Sequence, residues 1–292
     1  MIGGMLLLSD DLSQLTHERI SVATRIFPVT GVTAVVLDLH STSISGLPSL
    51  LRLWCSDTIV TENTTSAIQL ASQNSRRSAF SPSQRWKNPF SRERNSIPVA
   101  KGLGTWSVCS LSNWLDEESI VSVPIISLLP PRHTSNDHRA ELGYHVFAFW
   151  SSKYIWVSND KFDTQKTISK RLGPRETEIF HVKPVDAVLP QYIGSELHFT
   201  CGYEVKTLVT TTSSMMIQFK NESKRSGFIY IYIPTFKRTI HATMNGKVVR
   251  AEVVSTTPQV FVDNNVSMGG QVIRIYVVMN GASNDGRVIC DF

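Results

Sequence analysis

Apolar and polar residues alternate with a period of two over most of this chain, the pattern of β-strands with one face buried. The start departs from it. Residues 5–8 form a continuous apolar run between Gly-Gly and Asp-Asp, as in a strand buried on both faces. Leu12, Leu15, Val22 and Ile26 then recur near a 3.6-residue period, with Asp10, Asp11 and Ser13 as candidate N-terminal caps and Pro28 as the stop, which predicts a helix. A single βα unit therefore opens the chain.

After Pro28 the alternation predicts strands over 33–39, 49–54, 106–113, 120–128, 145–149, 154–157, 178–182, 197–200 and 204–209. A second series covers 215–219, 227–233, 241–244, 248–254, 259–262 and 272–279. Turn signals such as Pro130-Pro131 and Gly173-Pro174 separate neighbours at spacings that suit an antiparallel sandwich. Asn245-Gly246 is the strongest hairpin signal, because both residues accept the positive φ of a type I′ turn. The expected fold class is mainly β, with antiparallel sandwich regions behind one βα unit. Its expected divisions are 1–45, 46–101, 102–210 and 211–292, the last a second sheet or small β-domain. No repeat of fixed period argues for a propeller or solenoid.

At 292 residues and 41% hydrophobic content the chain can bury a full core. Its four cysteines, Cys55, Cys109, Cys201 and Cys290, lie too far apart for a metal knuckle and are expected to be buried thiols. The formal charge of +5 is concentrated in 63–100, where Arg76, Arg77, Arg85, Lys87, Arg92 and Arg94 face only Glu93. That stretch is rich in Ser, Asn, Gln and Pro, and reads as an exposed or disordered insertion; a nucleic-acid arm using Phe80, Trp86 and Phe90 is the disfavoured alternative.

The eight histidines show no spacing that would put two imidazoles on one metal, and there is no nucleophile elbow, Walker loop or dinucleotide fingerprint. No metal and no cofactor are expected. Residues 1–8 lack the basic flank of a secretory signal, and no run approaches the ~18 apolar residues of a membrane span, so no membrane partner is expected. Asn63, Asn221 and Asn265 open glycosylation sequons. The aromatic set Phe147, Phe149, Trp150, Tyr154 and Trp156 would suit either a sugar platform or a core, and a core is expected because aromatics dominate sandwich interiors. Trp106 and Trp114 are read the same way.

Three aromatic-rich segments follow in fixed order: GTWSVCSLSNW from Gly104, YHVFAFWSSKYIW from Tyr144, and YIGSELHFTCGYEV from Tyr192. With GGMLLLSDDLSQLTHER from Gly3, the series resembles the C-terminal part of α-galactosidase-like glycoside hydrolases of the melibiase and raffinose-synthase type, especially fungal ones. The resemblance covers 3–55 and 102–206, and the long basic insertion departs from it. It implies that the opening unit corresponds to the last strand and helix of a (β/α)8 barrel and that the β-domain buttresses that barrel. Retaining glycosidases need two carboxylates about 5 to 5.5 Å apart. In the family these are aspartates on earlier barrel strands, so no catalytic residue carries over. Asp10 and Asp11, at a strand end, are either helix caps or peripheral substrate contacts. The implied function is the non-catalytic portion of a galactoside-hydrolysing enzyme; the alternative is a stand-alone carbohydrate-binding or structural β-protein.

Overall fold

The computed structural model describes residues 15–28, 30, 32–38, 47–57, 96–129, 143–158, 166–220, 223–256, 260–262, 265–267, 269–281 and 286–292. Helix α1 (His17–Ile26) comes first. Strands β1 (Val35–Val36), β2 (Leu50–Ser56), β3 (Ser96–Pro98), β4 (Thr105–Ser112) and β5 (Ser119–Pro124) follow, then the one-turn helix α2 (Ile125–Leu128). Next come β6 (Gly143–Ala148), β7 (Lys153–Ser158), β8 (Thr167–Leu172), β9 (Thr177–Pro184) and β10 (Gln191–Ser195). The remainder holds β11 (Val205–Thr210), β12 (Ser214–Phe219), β13 (Arg225–Ile233), β14 (His241–Met244) and β15 (Lys247–Val249). It closes with β16 (Ala251–Thr256), β17 (Val260–Val262), β18 (Asn265–Ser267), β19 (Gln271–Met279) and β20 (Arg287–Asp291).

These strands form three main sheets: β1-β2-β4-β9-β6-β7 with β3 alongside β2, then β10-β13-β19-β16, and β11-β12-β20-β14-β15. Two ribbons, β5-β8 and β17-β18, complete the set. Every pairing is antiparallel except β2 with β3. The fold is thus mainly β, without a closed barrel among the described residues.

Period-two alternation explains how the first sheet serves two cores. Leu53, Cys55, Trp106, Val108, Phe147 and Ile179 project from one face into a cluster shared with Met215, Ile217, Ile229, Ile231, Ile273, Ile275 and Val288 of the other two sheets. Cys109, Leu111, Tyr144, Val146, Phe180 and Val182, one position out of phase, project oppositely. They meet Val123, Ile125, Leu128, Ile168 and Leu172 from the β5-β8 ribbon and α2. Each fully buried side chain of this size contributes roughly 1.5–3 kcal/mol. The two-sided burial holds the first sheet between ribbon and sandwich.

Several boundaries differ from the sequence expectation. Residues 120–128 do not form one strand: β5 ends at Pro124, whose fixed ring starts α2. Residues 197–200 are not a strand either, since Cys201 donates its N–H to His198 O at 2.9 Å within a turn and has φ +49. The stretch 248–254 divides at Arg250, with β15 pairing β14 in the third sheet and β16 pairing β19 in the second. The expected strand at 33–39 reduces to β1. Strands β8, β10 and β20 carry polar or small residues that blur their alternation, and sequence reasoning passed over them. The basic insertion falls mostly outside the described residues, but its expected end is too late, because β3 at 96–98 buries Ile97 in the core.

Helix α1 has Thr16 at its N-cap, later than expected, with its hydroxyl accepting from Arg19 N at 3.5 Å; the expected caps Asp10, Asp11 and Ser13 lie outside the described residues. The expected strand at 5–8 lies outside the described residues. The Asn245-Gly246 hairpin forms between β14 and β15 with φ +52 and +78, and the Asn245 side-chain oxygen also accepts from Gly286 N and Arg287 N, both at 3.0 Å.

Candidate functional site

Asp10 and Asp11, the sequence-derived site candidates, lie outside the described residues. What the structure brings together instead is a set of ionisable side chains at the junction of β9, β10 and the turn 196–204. Strand alternation explains part of it: Ile179, His181 and Lys183 share one face of β9, pointing into the larger core. The turn then presents Cys201 and Glu204 to that face, with Tyr192 and Ser195 supplied by β10.

Glu204 is buried, and one carboxyl oxygen accepts from the Tyr192 hydroxyl at 2.8 Å and from the Ser195 hydroxyl. Its other oxygen, Oε2, has no partner. Burial raises its pKa, opposed by the hydroxyl hydrogen bonds. Lys183 donates to Leu103 O at 2.6 Å and Tyr192 O at 2.8 Å, and its ammonium lies over the Trp106 ring. Burial lowers it to about 8, against the raising pull of Asp57 and Asp186.

His181 and Cys201 are the nearest approach to a nucleophile and base. His181 Nε2 faces the Phe199 carbonyl at 2.7 Å and so carries the proton, leaving Nδ1 as acceptor 3.5 Å from Cys201 Sγ. The Cys201 thiol also contacts Ser195 O at 3.3 Å. Yet burial drops His181 to about 4 and pushes the Cys201 thiol well up, so the proton stays on sulfur. The pair packs within the core.

All four cysteines are free and buried, as expected from their spacing. Among the described residues, no cluster of His, Cys, Asp or Glu could hold a metal ion, and no helix is long and apolar enough to cross a membrane.

The aromatic set divides in the same way. Phe147 and Phe149 are buried, and Trp150, Tyr154 and Trp156 pack half-buried against the same core. Indole N–H groups point inward: Trp54 to Leu128 O, Trp106 to Thr200 O and Trp114 to Pro48 O, at 3.2, 3.1 and 2.8 Å. Trp106 is thus a core ring, and Trp54 and Trp114 are partly buried with their N–H groups bonded to backbone.

An open site lies elsewhere, in a groove of about 390 Å³ between α1 and the ends of β13 and β19. Its walls carry Arg25, Lys224 and Arg225 against one carboxylate, Glu196. Arg225 reaches across the junction, donating to Leu197 O at 3.0 Å, to Ser223 Oγ at 2.8 Å and to Phe27 O. Phe199 N donates to Arg25 O at 3.0 Å, and His198 Nε2 faces Pro28 O at 3.2 Å. The helix is therefore tied at its C-terminal end. None of its residues is buried, and Ile20 and Val22 are exposed. No sequence signal marks this groove, because Arg25 and Arg225 lie 200 positions apart.

Comparison with protein-family models gives no match, and a search of curated proteins gives none either.

Proposed function

We propose that this chain is the C-terminal, non-catalytic portion of an α-galactosidase-like glycoside hydrolase, supplying a closing helix and the β-domain that buttresses the catalytic barrel. The observation that carries this reading is the state of α1. Its C-terminal turn is joined to the β-body through Phe27 O, Pro28 O and Arg25 O, while no residue of the helix is buried. An amphipathic helix gains most of its stability by packing an apolar face. A helix held at one end, with Val22 exposed, fits an element whose packing partners belong to a larger barrel.

The interior favours the same division of labour. Glu204, His181, Cys201 and Lys183 are buried and meet one another, the Tyr192 and Ser195 hydroxyls or backbone carbonyls, so none is presented to a sugar. In the complete enzyme, hydrolysis of the O-glycosidic bond would fall to two carboxylates on the barrel, one attacking the anomeric carbon and one protonating the leaving oxygen. The β-domain's contribution would be to fix the barrel's last helix in place.

The deciding experiment is sequencing of the native transcript together with the intact mass of the native polypeptide. A continuous frame encoding a barrel with two strand-end aspartates is expected. A native polypeptide of 292 residues, or turnover of an aryl α-galactoside by the purified chain, would overturn the proposal.

A further inference from the structure

The groove between α1 and the β13-β19 edge has the chemistry of a ligand site, and we infer that it binds an acidic saccharide, a pyranose carrying a carboxylate. At about 390 Å³ it lies in the size range of small-molecule sites. Three kinds of lining converge there. Arg25 and Lys224 supply charge from opposite walls, one from the last turn of α1 and one from the residue before β13. Among the described residues, neither side chain forms an ion pair. Ser21, Ser226 and Asn280 supply hydroxyl and amide groups that match sugar hydroxyls in both donor and acceptor roles, and Thr24, whose hydroxyl donates to Ser21 O at 2.8 Å, adds an acceptor. Ile20 and Val278 are exposed apolar surfaces at the rim, suited to the C–H face of a pyranose.

The single carboxylate of the groove does not cancel this field. Glu196 is turned toward the sheet, where Oε2 accepts from Phe228 N at 3.0 Å and Oε1 from the Tyr230 hydroxyl at 3.3 Å. Arg225 adds positive potential to the lining while its guanidinium serves Leu197 O, Ser223 Oγ and Phe27 O. A neutral sugar would leave Lys224 without an anionic acceptor and Arg25 with only the Phe149 ring 5.9 Å from its guanidinium. A bare inorganic anion would leave the hydroxyl and apolar walls unused. A uronate satisfies all three, with its carboxylate between the two cations and its ring against Ile20 and Val278. The site stands whether or not the chain belongs to a larger glycosidase.

The test is a ligand-observed NMR titration of the 292-residue chain with D-galacturonate, D-galactose and sulfate as separate probes. Saturable binding of D-galacturonate is expected, with D-galactose at least about tenfold weaker because it lacks the charged acceptor. Arg25→Gln and Lys224→Gln should each weaken D-galacturonate roughly tenfold and leave the far-ultraviolet circular dichroism unchanged. Lys224 is exposed, so its variant keeps the test readable even if Arg25→Gln loosens α1. Equal binding of D-galactose, no saturable binding of D-galacturonate, or unchanged affinity in Lys224→Gln would overturn the inference. Sulfate competing as well as D-galacturonate would also overturn it, by showing that the groove reads charge alone. The transcript and mass experiments above are independent of all these outcomes.

Discussion

The Tyr192 hydroxyl donates to the Glu204 carboxyl at 2.8 Å, with both side chains buried between sheets. Burial favours the neutral acid, which a glutamine imitates in shape and hydrogen bonding. Glu204→Gln should therefore keep stability within about 1 kcal/mol, while Glu204→Ala, which orphans two hydroxyl donors and opens a cavity, should cost roughly 3 kcal/mol. Urea unfolding of the two variants checks this; equal losses would mean that the carboxyl is buried as an anion.

Three buried imidazoles set the pH dependence. Burial lowers His145 to about 3, His181 to about 4 and His198 to about 3, so all stay neutral in the folded chain near pH 5. The unfolded chain protonates them below about 6.5. Glu204 acts oppositely, since its raised pKa lets the folded state keep a proton that the unfolded state releases above about 4.5. Unfolding near pH 5 then takes up protons at the three imidazoles, partly offset by Glu204, and stability should fall on acidification through that region by about 1.4 kcal/mol per pH unit for each proton taken up net. Urea midpoints that stay constant from pH 7 to 5 would contradict it.

Gly202 approaches Trp106 so closely that an added Cβ would stand 2.5 Å from the indole. That ring is buried and tied through its N–H to Thr200 O at 3.1 Å, so it cannot swing aside. Gly202→Ala should cost roughly 3 kcal/mol by overpacking. Gly246→Ala, whose Cβ would meet nothing but whose φ is +78, should cost only about 1 kcal/mol. Thermal unfolding of both separates clash from backbone strain.

Arg225 joins α1 to the β-body. Arg225→Met keeps the aliphatic stem and removes the bonds to Phe27 O and Leu197 O. Amide exchange should accelerate across His17–Ile26 while β13 and β19 keep their protection. Unchanged protection of the helix would show that other contacts hold it.

The four thiols offer the simplest check on the core. Burial pushes Cys109 and Cys290 up to about 12 and raises Cys55 and Cys201 as well. An aromatic disulfide reagent should label none in the folded chain and all four in denaturant. Rapid labelling of Cys201 in the native protein would reveal an open path to His181.

Period-two alternation was enough to identify β4, β6, β9, β13 and β19 and the mainly β class, because successive side chains of a strand must face alternate sides. The Asn245-Gly246 turn was likewise legible, since few residue pairs accept two positive φ values. Cysteine spacing was enough to expect buried thiols. Alternation could not say which face of β9 is interior, because Phe180 and Val182 on one side and Ile179 on the other are all apolar; only sheet stacking buries both, and with them His181 and Lys183. Nor could it show that the chain changes sheets at Arg250, since a strand's local pattern is the same whichever partner accepts its hydrogen bonds. Sequence by itself determined the local period and the turns. Tertiary structure alone decided the Arg25–Lys224 groove, whose residues are distant in sequence and meet only when separate elements pack; the Glu204 cluster lies within 181–204, but only the packing of β9, β10 and the turn 196–204 turns those side chains to one point.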